Sequence, residues 1–174
     1  KPEFAQAAAA VGHWIGEHGG QLVYGGGKGG LMGIVANATL RAGGRVIGII
    51  PQALVEKEWA HHDCTELHIV DTMHERKRMM AEHADVFLAL PGGIGTLEEV
   101  VETLSWRRLG LHTKPTVFVD TQFWGPFIAS LDHLVAENFA PEIFKDSYAL
   151  VDTAEEMVRA LETAHAQSGL TQIA

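Results

Sequence analysis

A glycine-rich turn that follows an apolar strand pattern is the stretch of this sequence best suited to chemistry. Residues 85–90 form a short apolar run, typical of a buried parallel strand, and Pro91 ends it. Thr96 then opens a helical pattern. The turn between them holds three glycines, Gly92, Gly93 and Gly95. Because glycine lets backbone amides approach a ligand, and the start of a helix is electropositive, this turn predicts an anion site suited to phosphate.

Glu99 adds a carboxylate close to this turn. It falls in the first turn of the predicted helix, where a phosphate site would not favour a negative charge. The spacing Thr96-x-x-Glu99 also matches a capping box, in which the glutamate bonds the backbone amide of the threonine that caps the helix. A catalytic carboxylate and a structural cap are both open at this point.

A second unusual stretch is His74-Glu75-Arg76-Lys77-Arg78, which places three cations near a predicted helix start. The helix dipole disfavours positive charge there. The run indicates either an anionic ligand or buried carboxylate partner, or a solvated face with Glu75 and Glu82 as partners. For a charge run taken alone, the solvated face is favoured.

A second glycine run, Gly25-Gly26-Gly27-Lys28-Gly29-Gly30, satisfies G-x-G-x-x-G between a predicted strand and a predicted helix. A dinucleotide site also needs an acidic residue at the end of the next strand, but that strand ends at Ile50 and Pro51. A nicotinamide or flavin site is therefore disfavoured. A nucleotide-binding turn of another kind and a tight packing turn both remain open.

Two further clusters could carry chemistry. The first is rich in metal-ligating side chains, but its spacing matches no tetrahedral zinc pattern, so loop and packing roles are favoured over a metal site. Its members are His61, His62, Asp63, Cys64 and His68. The second is aromatic and could line an apolar pocket, although such residues are more often core. Its members are Trp106, Phe123, Trp124 and Phe127.

The composition limits the classes of protein to consider. The 174 residues suit a single domain, 1–174. A net charge of −9 argues against a nucleic-acid partner, and no apolar run is long enough to span a membrane. The single cysteine, Cys64, excludes an internal disulfide and predicts a cytoplasmic location.

Strand and helix patterns alternate along the chain. Helices are predicted over residues 4–15, 31–40, 73–84, 96–109, 127–135 and 154–164, with Thr153 as the cap of the last. Strands are predicted over residues 21–24, 45–50, 67–70, 85–90, 115–119 and 148–151, and residues 52–66 look irregular. This order predicts an α/β fold, a three-layer Rossmann-like sandwich with a mainly parallel sheet.

Taken together, the motifs resemble the LONELY GUY (LOG) family of phosphoribohydrolases that activate cytokinins. Four stretches carry the resemblance: Tyr24-Gly25-Gly26-Gly27-x-x-Gly30-Leu31-Met32-Gly33, Met73-His74-Glu75-Arg76-Lys77, Pro91-Gly92-Gly93-x-Gly95-Thr96-x-x-Glu99 and Trp106-x-x-Leu109-Gly110-x-His112-x-Lys114-Pro115. The match covers nearly the whole chain, and the joint occurrence is more specific than any one motif.

The resemblance implies a function and a set of partners. It implies hydrolysis of the N-glycosidic bond in N6-substituted adenosine 5′-monophosphates, which yields the free base and ribose 5-phosphate. It implies no metal or organic cofactor, and a homodimer. Three alternatives stay open: a nucleosidase for plain AMP or other nucleoside monophosphates, a carrier of a nucleotide or of the molybdenum cofactor, and the pyridoxal phosphate chemistry suggested by the family's old label, lysine decarboxylase.

The resemblance also implies roles for individual residues. Arg76 and Glu99 fall on the family's catalytic pair. The positions that fall on substrate-binding residues are Gly26, Gly27, Glu58, Met73, Arg76, Lys77, Gly92, Gly93, Ile94, Gly95, Thr96, Leu97, Glu98 and Ser105.

This sequence departs from the family in several places. The first residue is Lys1 rather than Met, and the family's opening strand with its Gly-Ser turn is absent, so we expect that an N-terminal piece is missing. Arg108 stands where many relatives carry Gln, and the run 122–124 replaces a Gly followed by two aromatics. The last two departures concern the preferred N6 substituent more than the type of reaction.

Overall fold

A computed structural model describes residues 1–57, 59–153, 155–160 and 163 of the chain. The chain divides into two compact units, Lys1–Ala84 and a second that begins at Asp85. Each unit contains a three-stranded parallel sheet and the helices that connect its strands. The α/β fold with parallel strands is thus confirmed, and the single domain over residues 1–174 stays a prediction. No helix within the described ranges is long and apolar enough to cross a membrane.

The first unit has a sheet with the strand order β1-β2-β3. Its elements are α1 (Pro2–Glu17), β1 (Gln21–Tyr24), α2 (Gly30–Arg41), β2 (Arg45–Pro51), α3 (Gln52–Val55), β3 (Glu66–Val70) and α4 (Met73–His83). The central strand β2 is buried from Val46 onwards, because it is covered on both faces as parallel strands usually are. β1 is followed by the glycine run at residues 25–30, and α4 follows β3 after a short turn.

The second unit has a sheet with the strand order β4-β5-β6. Its elements are β4 (Phe87–Ala89), α5 (Ile94–Arg108), β5 (Thr116–Val119), α6 (Thr121–Ala136), a 3-10 helix (Glu142–Ser147), β6 (Tyr148–Val151) and helical residues 155–160. Its core is aromatic: the Phe118 ring packs against Trp124, with ring centroids 5.1 Å apart, and against Phe127. The glycine turn at residues 92–95, helix α5 and this core therefore belong to one compact unit.

Within the described residues the predicted elements are found with shifted ends, and the predicted helix 154–164 lies partly outside those residues. The prediction that α6 begins at residue 127 is wrong, because the helix begins six residues earlier, at Thr121. Asp120 caps it by accepting a hydrogen bond from Phe123 N at 2.9 Å. Pro126 lies inside the helix instead of ending it. Strand β4 is shorter than predicted, and the irregular stretch 52–66 contains the short helix α3.

The side chains of Arg107 and His112 hold the loop after α5. Arg107 donates hydrogen bonds to three backbone carbonyls, those of Thr113 at 2.8 Å, Lys114 at 2.6 Å and Asp146 at 3.3 Å. His112 lies 3.0 Å from Thr103 O through Nε2 and accepts from Lys114 N through Nδ1. These bonds connect the end of α5 to the beginning of β5.

The environment of His112 indicates that the stability of the protein depends on pH. Burial lowers the pKa of His112, and the nearby Arg107 and Lys114 lower it further. An unfolded chain binds this proton below about pH 6.5, and the folded chain resists it, so stability should fall as the pH drops below that value. We expect His112→Gln to make the melting temperature less dependent on pH between 8 and 5.5. Parallel shifts in the two proteins would contradict this assignment.

Candidate active site

The glycine turn after β4 is exposed and begins a helix. Gly92–Gly95 are exposed, whereas Pro91 before them is buried. Helix α5 begins at Ile94, with Gly93 as its cap in an extended conformation. The prediction that Thr96 opens this helix is therefore wrong by two residues. The Thr96 side chain lies against Gly92 instead, where an added Cβ would come within 2.2 Å of Thr96 Oγ1.

This geometry leaves backbone amides available to an anion. The first bond within the helix runs from Leu97 N to Gly93 O at 3.1 Å. The amides before Leu97 have no acceptor within the helix, and the dipole is positive at this end. An added Cβ at Gly93 or Gly95 would meet no protein atom within 4 Å, so the space beside them is open. A phosphate site at this turn stays a prediction.

The structure also bears on the two open roles of Glu99. The spacing Thr-x-x-Glu occurs at Thr72–Glu75 and at Thr153–Glu156 as well. Thr153 Oγ1 accepts from Glu156 N at 3.1 Å, and Glu156 Oε2 accepts from Thr153 N at 3.2 Å, which is a reciprocal capping box. The predicted cap at Thr153 is confirmed.

Thr72 caps α4 in a similar way. Its Oγ1 accepts from Glu75 N at 3.1 Å, and Glu75 Oε2 accepts from Asp71 N. α5 is different: Gly93 is its cap, with no side-chain cap bond, and Glu99 lies in the second helical turn. A capping box requires the threonine at the cap position. The half-buried Glu99 is therefore not the glutamate of a capping box.

Trp124 holds the end of β4, the strand that precedes the glycine turn at residues 92–95. Trp124 is 3% exposed and donates from Nε1 to the carbonyl of Ala89, the last residue of β4, at 3.1 Å. Its ring packs in the core of the second unit. Of the four aromatic candidates, Trp124 is thus a core residue, whereas Phe123 is 36% exposed and Trp106 and Phe127 are half-buried.

Arg76 is not part of a solvated face. It is 8% exposed, although it lies near the start of α4, and its Nε donates to Ile49 O of β2 at 3.1 Å. Its Nη1 lies 3.8 Å from Met73 Sδ. The solvated face holds for Arg78, which is exposed and pairs with Glu82 at 2.8 Å. The charge run therefore contains one buried guanidinium, and a buried charge costs free energy unless it is paired or hydrogen-bonded.

The other predicted substrate-binding residues lie as follows. Gly26 is buried and Gly27 half-buried in the turn after β1, Met73 is 44% exposed, and Lys77 is half-buried on α4. On α5, Ile94 is 82% exposed, Leu97 is half-buried, and Glu98 and Ser105 are exposed. Glu58 lies outside the described residues.

The backbone of the glycine run at residues 25–30 is hydrogen-bonded to the loop after α3. Gly26 O accepts from His61 N at 2.8 Å, and Lys28 N donates to Trp59 O at 2.9 Å. Between them, Gly27 pairs with Ala60 in an antiparallel bridge. These bonds are those of a packing turn. As the sequence showed, β2 ends at Pro51 without an acidic residue for a ribose.

The residues of the predicted loop cluster make bonds typical of packing. His61 is 4% exposed and lies 3.1 Å from Asn37 Oδ1 through Nε2. Cys64 Sγ lies 3.4 Å from Tyr24 Oη, and burial raises the pKa of the thiol. Across the part of the chain that the structure describes, no three His, Cys, Asp or Glu side chains form a group that could hold a metal ion.

Comparison with known proteins places these features in a family. A family model described as "Possible lysine decarboxylase" matches residues 32–161. The cytokinin riboside 5′-monophosphate phosphoribohydrolase of Rhodococcoides fascians is 47% identical over 139 residues, which are 79% of this chain and 70% of that protein. The enzyme LOG of Oryza sativa subsp. japonica, which has the same name, is 42% identical over 163 residues, 93% of this chain and 67% of that protein.

Solved structures with a similar fold are more distant in sequence. The molybdenum cofactor carrier protein of Chlamydomonas reinhardtii has a TM-score of 0.71 at 22% identity, over 95% of this chain and 90% of that one. The molybdenum cofactor binding protein of Rippkaea orientalis has a TM-score of 0.71 at 18% identity, over 94% and 88%. At these identities the likeness concerns the fold alone, and it confirms the Rossmann-like fold.

The family model, the two phosphoribohydrolases and the four motifs agree with one another. This chain belongs to the LONELY GUY (LOG) family of cytokinin riboside 5′-monophosphate phosphoribohydrolases.

Proposed function

We propose that this protein hydrolyses the N-glycosidic bond of N6-substituted adenosine 5′-monophosphates, giving the free base and ribose 5-phosphate. The observation that carries the proposal is on helix α5: its first turn presents backbone amides beside an open space, and its second turn carries the half-buried carboxylate of Glu99. Backbone amides that can bind an anion, together with a carboxylate on the same helix, suit a phosphorylated sugar as substrate. The relatives named above support the substrate class.

Phosphate binding would orient the sugar. The amides of residues 93–96 and the helix dipole would hold the 5′-phosphate, so that binding energy from a remote group positions the reacting carbon. Nucleotides should then react, and nucleosides hardly at all.

Gly95→Ala tests this grip without disturbing the fold. Alanine is favoured over glycine in a helix by about 0.5–1 kcal/mol, and the added Cβ would meet no protein atom within 4 Å. We expect the melting temperature to stay or rise, and KM for the nucleotide to rise by about tenfold or more, since the methyl group enters the proposed phosphate space. A more stable variant with unchanged KM would place the phosphate elsewhere.

Glu99 and Arg76 would act on the sugar and the base. As the bond from C1′ to the base breaks, its electrons go to the base, and positive charge develops on the ribose. A carboxylate near C1′ would stabilise that charge and accept a proton from the water whose oxygen bonds to C1′, while the departing base, which carries the electron pair, would take up a proton from solvent. Arg76 would hydrogen-bond the substrate in the transition state through the N–H donors of its guanidinium, instead of acting as the general acid.

One assay tests the proposed function. The purified protein is incubated with AMP, N6-isopentenyl-AMP, GMP, CMP and UMP and with the matching nucleosides, and released base is measured by chromatography. We expect release from the adenine nucleotides, with a higher kcat/KM for the isopentenyl compound. Equal values for the two would favour the broader nucleosidase, and no release from any nucleotide would favour a carrier.

Three predictions about the whole protein stay predictions. The homodimer is checked by light scattering of the full chain, and the cytoplasmic location by fractionation of cells. The absence of pyridoxal phosphate chemistry is checked by the absorption spectrum of the purified protein and by its activity without added cofactor.

A further inference from the structure

The proposed function does not use Gly25, the first glycine of the run after β1. Gly25 is buried, and it lies under the guanidinium of Arg76. A Cβ built on Gly25 would lie 1.6 Å from Arg76 Nη2 and 2.7 Å from Arg76 Cζ. Real Cβ atoms do not approach other atoms so closely, so only glycine fits here with the arginine in this position.

The position of the arginine is itself fixed by other groups. Its Nε donates to Ile49 O at the end of β2, and Thr72 caps the helix that carries it. A second side chain also limits the space beside Gly25, because Met32 Cε would lie 2.9 Å from the same Cβ. The guanidinium therefore lies on the backbone at the end of β1 and is bonded to the end of β2.

Other glycines in this run and after it have different surroundings. An added Cβ at Gly29 would meet nothing within 4 Å. Gly33, at the beginning of α2, lies under Lys28 O, which would be 2.0 Å from its Cβ. Contact with the guanidinium thus distinguishes Gly25 from Gly29, which follows the same turn.

We infer that Gly25 is a positioning residue for Arg76: without a side chain, it lets the guanidinium lie on the end of β1 while Nε bonds Ile49 O. The inference rests on the proposed function, in which Arg76 stabilises the transition state. It gives the first glycine of the G-x-G-x-x-G pattern a reason other than nucleotide binding.

Gly25→Ala should displace the guanidinium and leave the chain folded. The clashing atoms are at the far end of a flexible side chain, so the arginine moves and the strand stays. Because a displacement of about 1 Å in a catalytic group can cost about 10²-fold in rate, we expect kcat to fall about 10²-fold with KM within about threefold. Gly29→Ala is the matched control, and its kcat should stay within about twofold.

A double-mutant cycle separates positioning from a general structural role. Arg76→Met removes the guanidinium, so adding Gly25→Ala to it should lower kcat less than about threefold further, against about 10²-fold in the wild type. An equal loss in both backgrounds would overturn the inference. The cycle is measured on residual base release at saturating AMP.

Thermal unfolding of the same four proteins does not depend on activity. We expect Gly25→Ala to lower the melting temperature more in the wild type than in the Arg76→Met background. If Gly25→Ala alone does not fold, recovery of a folded double variant supports the inference, and equal failure of both overturns it. If the wild type releases no base while the melting cycle shows coupling, the proposed function fails and the contact stands.

Discussion

Glu99→Gln is expected to lower kcat by about 10²–10⁴-fold and to leave KM for the nucleotide within a few-fold. The amide has the shape of the carboxylate, so phosphate binding at the turn is kept. It lacks the negative charge that, in the proposed mechanism, would stabilise the sugar in the transition state, and it would not accept a proton from water. Steady-state release of base from N6-isopentenyl-AMP measures both parameters.

Glu156→Ala is the control for this variant, because it removes a glutamate from a real capping box. Glu156 bonds the backbone at Thr153 and Asp152. We expect a loss of about 1 kcal/mol in the free energy of unfolding and no change in kcat. Glu99→Gln should thus change mainly kcat, whereas Glu156→Ala should change the stability and leave kcat unchanged. Base release from Glu99→Gln close to the wild-type rate would remove Glu99 from the mechanism.

Replacing Arg76 is expected to have the second largest effect. Arg76→Ala should lower kcat by about 10²–10³-fold, as the loss of an electrostatic stabiliser does in other active sites. It should also destabilise the protein, because Arg76 is buried and holds Ile49 O. Arg76→Lys separates the two effects, since lysine keeps the charge but cannot bond Ile49 O and present a planar pair of donors together.

Arg78→Ala is the matched control on the same helix. Arg78 is exposed, and its pair with Glu82 is worth less than about 1 kcal/mol. Activity and stability should both stay near those of the wild type. If Arg76→Lys retained more than about a tenth of the wild-type kcat at full stability, the guanidinium would have no catalytic part.

The sequence alone predicted the order of strand, glycine turn and helix at β4 and α5 because all of the parts are local. Strand, proline, glycines and helix are consecutive, and each has a physical signature. The start of α5 was missed for an equally local reason. Thr96-x-x-Glu99 matches a capping pattern that is correct at Thr153, and only the extended backbone at Gly93 shows that the helix begins earlier.

The burial of Arg76 had a signal that the charge run concealed. Met79 and Met80 pack against Ile47, Ile49 and Val70, and Arg76 precedes them by three and four residues. On a helix this spacing places the three side chains on one face, which is the inward face of α4. Helical periodicity therefore separates Arg76 from Arg78 better than charge does.

The role of Gly25 could not be predicted from the sequence. Its neighbours in the chain suggest a nucleotide-binding turn, and the atom that excludes a side chain belongs to a helix two strands later. Such a contact is a property of the sheet, which brings the ends of β1 and β2 side by side. Local motifs identify a turn, and the fold decides which group the turn accommodates.

A crystal structure of the Glu99→Gln protein with N6-isopentenyl-AMP bound tests the central claim most directly. We predict the phosphate within about 3 Å of the backbone amides at residues 93–96, and C1′ of the ribose beside the side chain at position 99. A phosphate held elsewhere, or a side chain at position 99 that turns away from the sugar towards its own helix, would contradict the account.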